Sequence, residues 1–419
     1  PGLSVGAWYD AGDFDIQSGT VIGLTSQFAL LWDLFREDRD QTYIDQKTQF
    51  VDIHRPDGQP DVLQQCEHGL LNLIAQVENI GFVAQGIVQG NTWQYVHIGD
   101  GASQTDGYVY NPALQPYAIV GGTSGTCDDR FAFTGNYSPA GQMSTIAAMA
   151  AAARALKDYN PELSAKALKL AVKLWDENFE AAAPENQQNT NNRWGRGEMR
   201  TSAAIQLWRA TGEQKYKDFF LPKVLQQLAQ KPQQQGGQGG FFRAPNLGTA
   251  LELYPLLDDD FKAAVKAAVP AYVESVEAIA AENPYGVPVQ GRGWGGTEVA
   301  LNWAYNNYLV WKYFPDMIDP ELVLNGMHFI FGRHPYSNVS FVNSVGVNTK
   351  NVAYGTNRAD YTVIPGGIVP GLLIMNPDFM ENKDDYPFLW GENECCTRNV
   401  PNFVMLTLGA EEITKSLNK

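Results

Sequence analysis

The sequence predicts an all-α fold, a toroid of paired helices with long functional loops gathered at one end. Three observations lead there. Apolar residues recur at helical spacing in about eleven segments. The segments come as consecutive pairs with short connections, without an obvious sequence repeat. No strand-rich stretch competes with them. The expected helices are residues 16–37, 61–79, 139–158, 162–180, 198–211, 214–231, 246–257, 259–282, 297–314, 319–332 and 400–417. The Ala-rich stretch Thr145–Leu156 favours helix and permits close packing. Pro161 suits the first turn of the next helix, with Asn160 as its cap.

Between the pairs lie long loops at about residues 80–138, 183–197, 232–245, 283–296 and 333–399, most of them rich in Gly, Pro, Asn and aromatic residues. Loops of this length inside a compact domain are usually functional. Gln233–Gly240 is low in complexity and carries no chemistry of its own. Val339–Val347 alternates polar and apolar residues and is expected to form a short hairpin arm. No linker divides the chain, so one domain over 1–419 is expected.

The 419 residues allow a large core. The net charge of −16 argues against a nucleic-acid partner, which requires clustered Lys and Arg. It also opposes general attraction to acidic polymers, although a local Arg pocket can be an exception. No apolar run reaches the ~18–20 residues of a membrane span. The 10 Trp and 19 Tyr are plentiful; large aromatic faces suit sugar stacking, although most of them are expected in the core. Cys66, Cys127, Cys395 and Cys396 show no CxxC spacing, which leaves buried thiols or one disulfide ahead of a metal corner. The five histidines show no HExxH or other ligand spacing, and no metal or cofactor is implied.

Two acidic clusters at opposite ends of the sequence carry the chemistry. Trp8-Tyr9-Asp10-Ala11-Gly12-Asp13-Phe14-Asp15 opens the chain, and Gly391-Glu392-Asn393-Glu394 lies near its end. A glycosidase that attacks with water needs an acid and a base about 6.5–9.5 Å apart. Gly12 lets the backbone bend between Asp10 and Asp13 at little steric cost. Trp8 and Tyr9 stand just before the acids, as stacking platforms would. The opposing reading makes the first cluster a helix N-cap with an acidic first turn, since an apolar helix is expected from about Ile16.

The motifs resemble those of glycoside hydrolase family 9, inverting β-glycanases on an (α/α)6 barrel. Trp8–Phe14 is similar to that family's WYDAGD signature, and Asp57–Leu63 with Gly69-Leu70 to its DGxPDLLDE…GL segment. Tyr95–Asp100 with Asp106 and Pro112 resembles its VGD…DH…W…P loop. Gly332–Tyr336 with Ser340–Val342 resembles GRNPLGxSYV, and Asn393-Glu394 resembles the NE pair. The matches run in the family's order along nearly the whole chain. The resemblance implies Asp13 as general base, Asp10 as its partner in holding the attacking water, and Glu394 as general acid. Arg358 stands where the family's HR segment binds sugar hydroxyls, without the His before it; Tyr354 stacking in its place is expected. Trp93, Trp294, Trp390 and His97 are further candidates for substrate contact from the loops. A secreted or periplasmic enzyme acting on a poly- or oligosaccharide is expected, with a module or leader ahead of Pro1.

The chain also departs from the family pattern. Cys395-Cys396-Thr397-Arg398 follows the NE pair, Gln64-Gln65 replaces an acidic pair, and Asp106-Gly107 replaces Asp-His. Arg398, Arg292, Arg333 and Arg358 lie in loops, and Arg suits bidentate recognition of carboxylates. A uronate-bearing substrate, cleaved by hydrolysis or by a lyase, therefore stands beside a neutral β-glucan, and non-catalytic glycan binding is a third reading.

Overall fold

The computed structural model describes residues 2–13, 15–89, 106–186, 199–229, 247–288, 294–335, 337–354, 363–372, 374–375, 380–381 and 390–418. These residues group into two compact units, Pro1–Leu221 and Pro222–Lys419.

Unit 1 holds α1 (Ser18–Phe35), α2 (Asp61–Ile80), α3 (Pro139–Ala155), α4 (Pro161–Asn178) and α5 (Arg200–Thr211); α6 (Gln214–Leu228) begins in it. The helices pair in order, α1 with α2 and α3 with α4, while α3 also packs on α1 and α5. α3 can do this because small residues line it all round: Ala147, Ala148 and Ala150–Ala153 are buried with Met143, Ile146 and Met149. Its start is fixed by Ser138, whose hydroxyl accepts from the Gly141 N–H at 3.2 Å. The Asn160 side chain caps α4 in the same way, at 3.1 Å from Leu163 N. Asp33 of α1 is shared by two arginines, Arg154 of α3 at 2.6 Å and Arg209 of α5 at 2.9 Å.

Unit 2 holds α7 (Gly248–Leu253), α8 (Asp259–Ala280), α9 (Thr297–Tyr313), α10 (Glu321–Ile330), the single turn α11 (Trp390–Asn393) and α12 (Val400–Leu417). α9 is its hub, packed on α7, α10 and α12. Gly409 of α12 lets that helix close on the Tyr308 ring, where a Cβ would sit 2.6 Å from the ring carbons.

Each helix expected from periodicity has a counterpart among the described residues, but the one expected at 246–257 is only Gly248–Leu253, and the first begins later than expected. Ile16–Gln17 is a strand, β1, and α1 begins only at Ser18. The loop expected at 80–138 contains short strands. β1 pairs antiparallel with β4 (Gly86–Gln89), and β4 pairs antiparallel with β8 (Arg130–Ala132). β5 (Val109–Tyr110) and β6 (Ile119–Val120) flank β7 (Thr123–Ser124). Elsewhere in unit 1, β2 (Thr42–Asp45) and β3 (Phe50–Ile53) form a hairpin. The hairpin expected at Val339–Val347 is not one. β9 (Val339–Ser340) pairs in parallel with β10 (Asn348–Thr349), because the intervening chain loops back and Val342 pairs instead with Ile368.

Candidate active site

The first acidic segment is laid onto one face of α2. Gln65, His68, Gly69 and Asn72 follow one another at the i, i+3, i+4, i+7 spacing that shares a helix face. Each holds a piece of the N-terminal chain. Asn72 Nδ2 donates to Val5 O at 3.1 Å. The Ala7 N–H donates to His68 O at 3.2 Å, and His68 Nε2 donates back to Ala7 O at 2.7 Å. Gln65 accepts from Trp8 Nε1 at 2.9 Å. Gly69 leaves room for the Trp8 ring, which also packs on Phe28 and His68. Burial holds the His68 ring below its usual pKa, and its Nδ1 lies 2.8 Å from Oε1 of the Gln46 side chain. Gly6 must stay Gly: its φ is +57°, and a Cβ would run into His68 O.

The other side of the segment rests on the small sheet. Arg130 of β8 donates through Nη2 to the Tyr9 hydroxyl at 2.8 Å and lies over the Tyr9 ring. The turn between is closed by Asp10 N donating to Asp15 O at 3.2 Å. Trp8 and Tyr9 are thus half-buried and anchored by their polar edges.

These contacts leave three carboxylates together. Oxygens of Asp10, Asp13 and Asp15 all lie within 4.8 Å of one another. None of the three caps α1, whose N-cap is Gln17 and whose first turn holds no acid. The helix-cap reading is therefore rejected. Burial, then the hydrogen bond and like charge of Asp15, push Asp13 up to about 7, against a smaller opposing effect of its hydrogen bond with Asp10. A clustered carboxylate set of this kind also has the donor chemistry of a hard cation site, and it is the one such cluster among the described residues.

In unit 2 the second cluster is built by backbone ladders. Gly295 N donates to Gly391 O at 2.6 Å, and Gly371 N donates to Glu392 O at 3.0 Å. Ala353 N donates to Asn393 O at 2.7 Å, and Cys395 N donates to Ala353 O at 3.1 Å. Glu394, 7% exposed, is held between those last two bonds, in a parallel bridge with Ala353. Glu392 turns into the interior and meets Lys350, with Nζ 3.2 Å from Oε2. Burial, with the Glu394 charge as a lesser cause, pushes Cys395 up to about 11; burial likewise raises Cys396. None of the four cysteines is in a disulfide.

The remaining predicted contacts are distributed as follows. Trp294, 39% exposed, precedes the Gly295 that bonds to Gly391, so its segment is tied to the Glu394 turn. Tyr354 is half-buried, directly after Ala353 in the same ladder. Arg398 is exposed, with its charge toward Cys396. The guanidinium of Arg333 donates to the Asn325 side chain and to Tyr285 O, the latter at 3.3 Å. Trp93, His97, Arg358 and the Trp390 side chain lie outside the described residues. Sequence reasoning read His68 only as structural, and gave no role in the site to Asp15, Gln65, Arg130 or Lys350. For Asp15 a signal existed, since it ends the same acidic run; for the others the partner is distant in sequence.

A family model for glycosyl hydrolase family 9 matches residues 3–406. No curated protein matches the chain. Among solved structures, the Zn-binding triple mutant of the GH family 9 endoglucanase J30 is similar at a TM-score of 0.68 and 20% identity, over 96% of this chain and 74% of that one. The cellulase Cel9M of C. cellulolyticum is similar at 0.64 and 16%, over 98% and 89%. AaCel9A in complex with a cellobiose-like isofagomine is similar at 0.66 and 17%, over 96% and 74%. The all-α fold read from the sequence is that family's (α/α)6 barrel, and the chain belongs to glycosyl hydrolase family 9, as a glycosidase acting on carbohydrate.

Proposed function

We propose that the chain hydrolyses β-linked glucans with inversion, with Asp13 as general base, Asp10 as second acceptor for the attacking water, and Glu394 as general acid. The observation that carries the reading is the clustering of Asp10, Asp13 and Asp15 away from any helix cap. Such clustering is costly for folding and is expected where carboxylates must share a proton or a water. In the step itself, Asp13 takes a proton from water as its oxygen bonds to the anomeric carbon. Asp10 accepts a hydrogen bond from the water's second O–H, which stays on the product as its new hydroxyl. Glu394 gives its proton to the departing glycosidic oxygen as the C–O bond breaks.

The endoglucanases named above favour a neutral β-glucan over a uronate-bearing polymer. The Arg signal for an acidic substrate is weakened by Arg333, whose guanidinium is already engaged. A polymer too large to cross a membrane is met outside the cytoplasm, so a secreted or periplasmic location goes with this reading. No helix among the described residues is long and apolar enough to cross a membrane.

The test is a product assay over neutral and acidic β-glycans with wild type, Asp13→Asn and Glu394→Gln. Each substitution should lower kcat about 10²–10⁴-fold with folding retained. Near-wild-type turnover in either ends that assignment. An unsaturated, ultraviolet-absorbing product would identify a lyase instead. Arg398→Ala should act equally on neutral and uronate-bearing substrates; a rise in KM for the latter alone would restore the acidic reading.

A further inference from the structure

Lys350 and Glu392 form an ion pair closed to solvent, with both side chains 0% exposed. Such a pair is a weak device for stability, because apolar side chains of similar volume are often as stable or more so. What it supplies is register, since neither partner can move away without stranding the other's charge in the interior.

Its place in the fold says what is registered. Lys350 directly follows β10, and its own backbone is fixed at both polar groups: its N–H donates to Ser340 O at 2.9 Å, and its carbonyl accepts from Asn343 Nδ2 at 2.8 Å. The chain then runs through Asn351, whose carbonyl accepts from Asn393 Nδ2 at 2.9 Å, to Ala353, which pairs with Glu394. Glu392 is two residues before Glu394, and its carbonyl is fixed by Gly371 N. The ion pair closes one end of a ladder whose other end carries Glu394.

Among the described residues, the following titratable groups face this ladder. Burial, helped by the Lys350 charge, pushes His334 down to about 4, so its ring is neutral there. The raised thiols of Cys395 and Cys396 are neutral as well. Glu298 and Arg398 face Cys396.

We propose that the Lys350–Glu392 pair is a positioning device for Glu394: it fixes the turn that presents the acid, and Lys350 neutralises the carboxylate two residues away from it. The inference rests on the reading of Glu394 as general acid. A salt bridge at this point does what packing alone does not, because it sets both the place and the local charge of the acid.

The experiment compares wild type with Lys350→Met, Lys350→Arg and Glu392→Gln on a β-glucan that the wild type hydrolyses. Displacement of the acid should lower kcat about 10- to 100-fold in Lys350→Met and in Glu392→Gln, with KM little changed. Lys350→Arg should recover part of the loss. The basic limb of the kcat–pH profile reports the acid in the bound complex. Lys350→Met leaves an anion beside Glu394 and should move that limb up; Glu392→Gln leaves a cation and should move it down. Loosened packing would not give opposite shifts. Should a single variant fail to fold, the double variant Lys350→Met with Glu392→Leu keeps the volume without the charges and should fold with the same low kcat. Wild-type kcat per folded molecule, or limbs that stay in place or move together, overturns the proposal. Wild type inactive on every β-glycan sinks the acid assignment itself; active wild type with unaltered variants sinks only the positioning role.

Discussion

Ala7 and His68 hold each other twice, once through the Ala7 N–H on the His68 carbonyl at 3.2 Å and once through His68 Nε2 on the Ala7 carbonyl at 2.7 Å. This double grip is three residues before Asp10 and fixes where the acidic turn begins. His68→Ala removes one bond and leaves the Ala7 carbonyl in a confined space. It should lower unfolding free energy by about 1–3 kcal/mol and lower kcat about tenfold, with KM little changed. Denaturant unfolding and steady-state kinetics check both. Unchanged kcat would mean that the grip serves stability alone.

Asp13 gives a pH prediction with a definite sign. Burial and Asp15 raise it to about 7, and a base must be ionised to act. Activity of the free enzyme should therefore fall about tenfold per pH unit below about 7. Asp15→Asn removes the like charge and should move the acid limb of kcat/KM to lower pH. A limb that stays in place in this variant would remove Asp15 from the account.

The same shift links to stability. The folded state holds a proton on Asp13 up to about 7, whereas an Asp side chain ordinarily releases it at 3.8. Between those values the folded chain binds the extra proton, so its contribution to stability is complete below 3.8 and lost as pH rises through about 7. Asp13→Asn carries no charge at this position. Its Tm should exceed that of wild type most above pH 7, and the gap should close toward pH 4, as read by thermal scans across that range. A gap independent of pH would contradict the raised pKa.

Part of this site was legible in the sequence and part was not. Asp10, Asp13 and Glu394 could be singled out as candidates because local motifs carry them; what the fold adds is the gathering of Asp10 and Asp13 with Asp15. The strand at Ile16–Gln17 could not be read, because two residues show no alternation and its partner β4 is some seventy residues on. The inward turn of Glu392 could not be read, because its partner Lys350 lies 42 residues away. Gln65 looked like a lost acid; in the fold it accepts the Trp8 indole N–H, a role that an amide oxygen fills as well as a carboxylate. The helices were the readable part, since their apolar faces repeat over many turns. The parallel pairing of β9 with β10 was not, since alternation alone does not encode strand direction.

The scaffold of unit 1 has its own test in Asp33. One carboxylate serves Arg154 and Arg209 from two other helices at 2.6 and 2.9 Å. Asp33→Ala leaves two guanidinium groups in a mostly buried place. The loss of unfolding free energy should be on the order of 3 kcal/mol, larger than for either arginine's partner lost singly on the surface. Denaturant unfolding decides it, and a change below about 1 kcal/mol would reduce the cluster to an ordinary surface pair.

The central claim is inversion by a water that Asp13 activates and a leaving group that Glu394 protonates. The most direct measurement is the proton NMR time course of the anomeric signals as the wild-type enzyme cleaves a β-glucan oligosaccharide. The account predicts that newly formed reducing ends appear first in the α configuration and then mutarotate. New ends that appear first in the β configuration would contradict it.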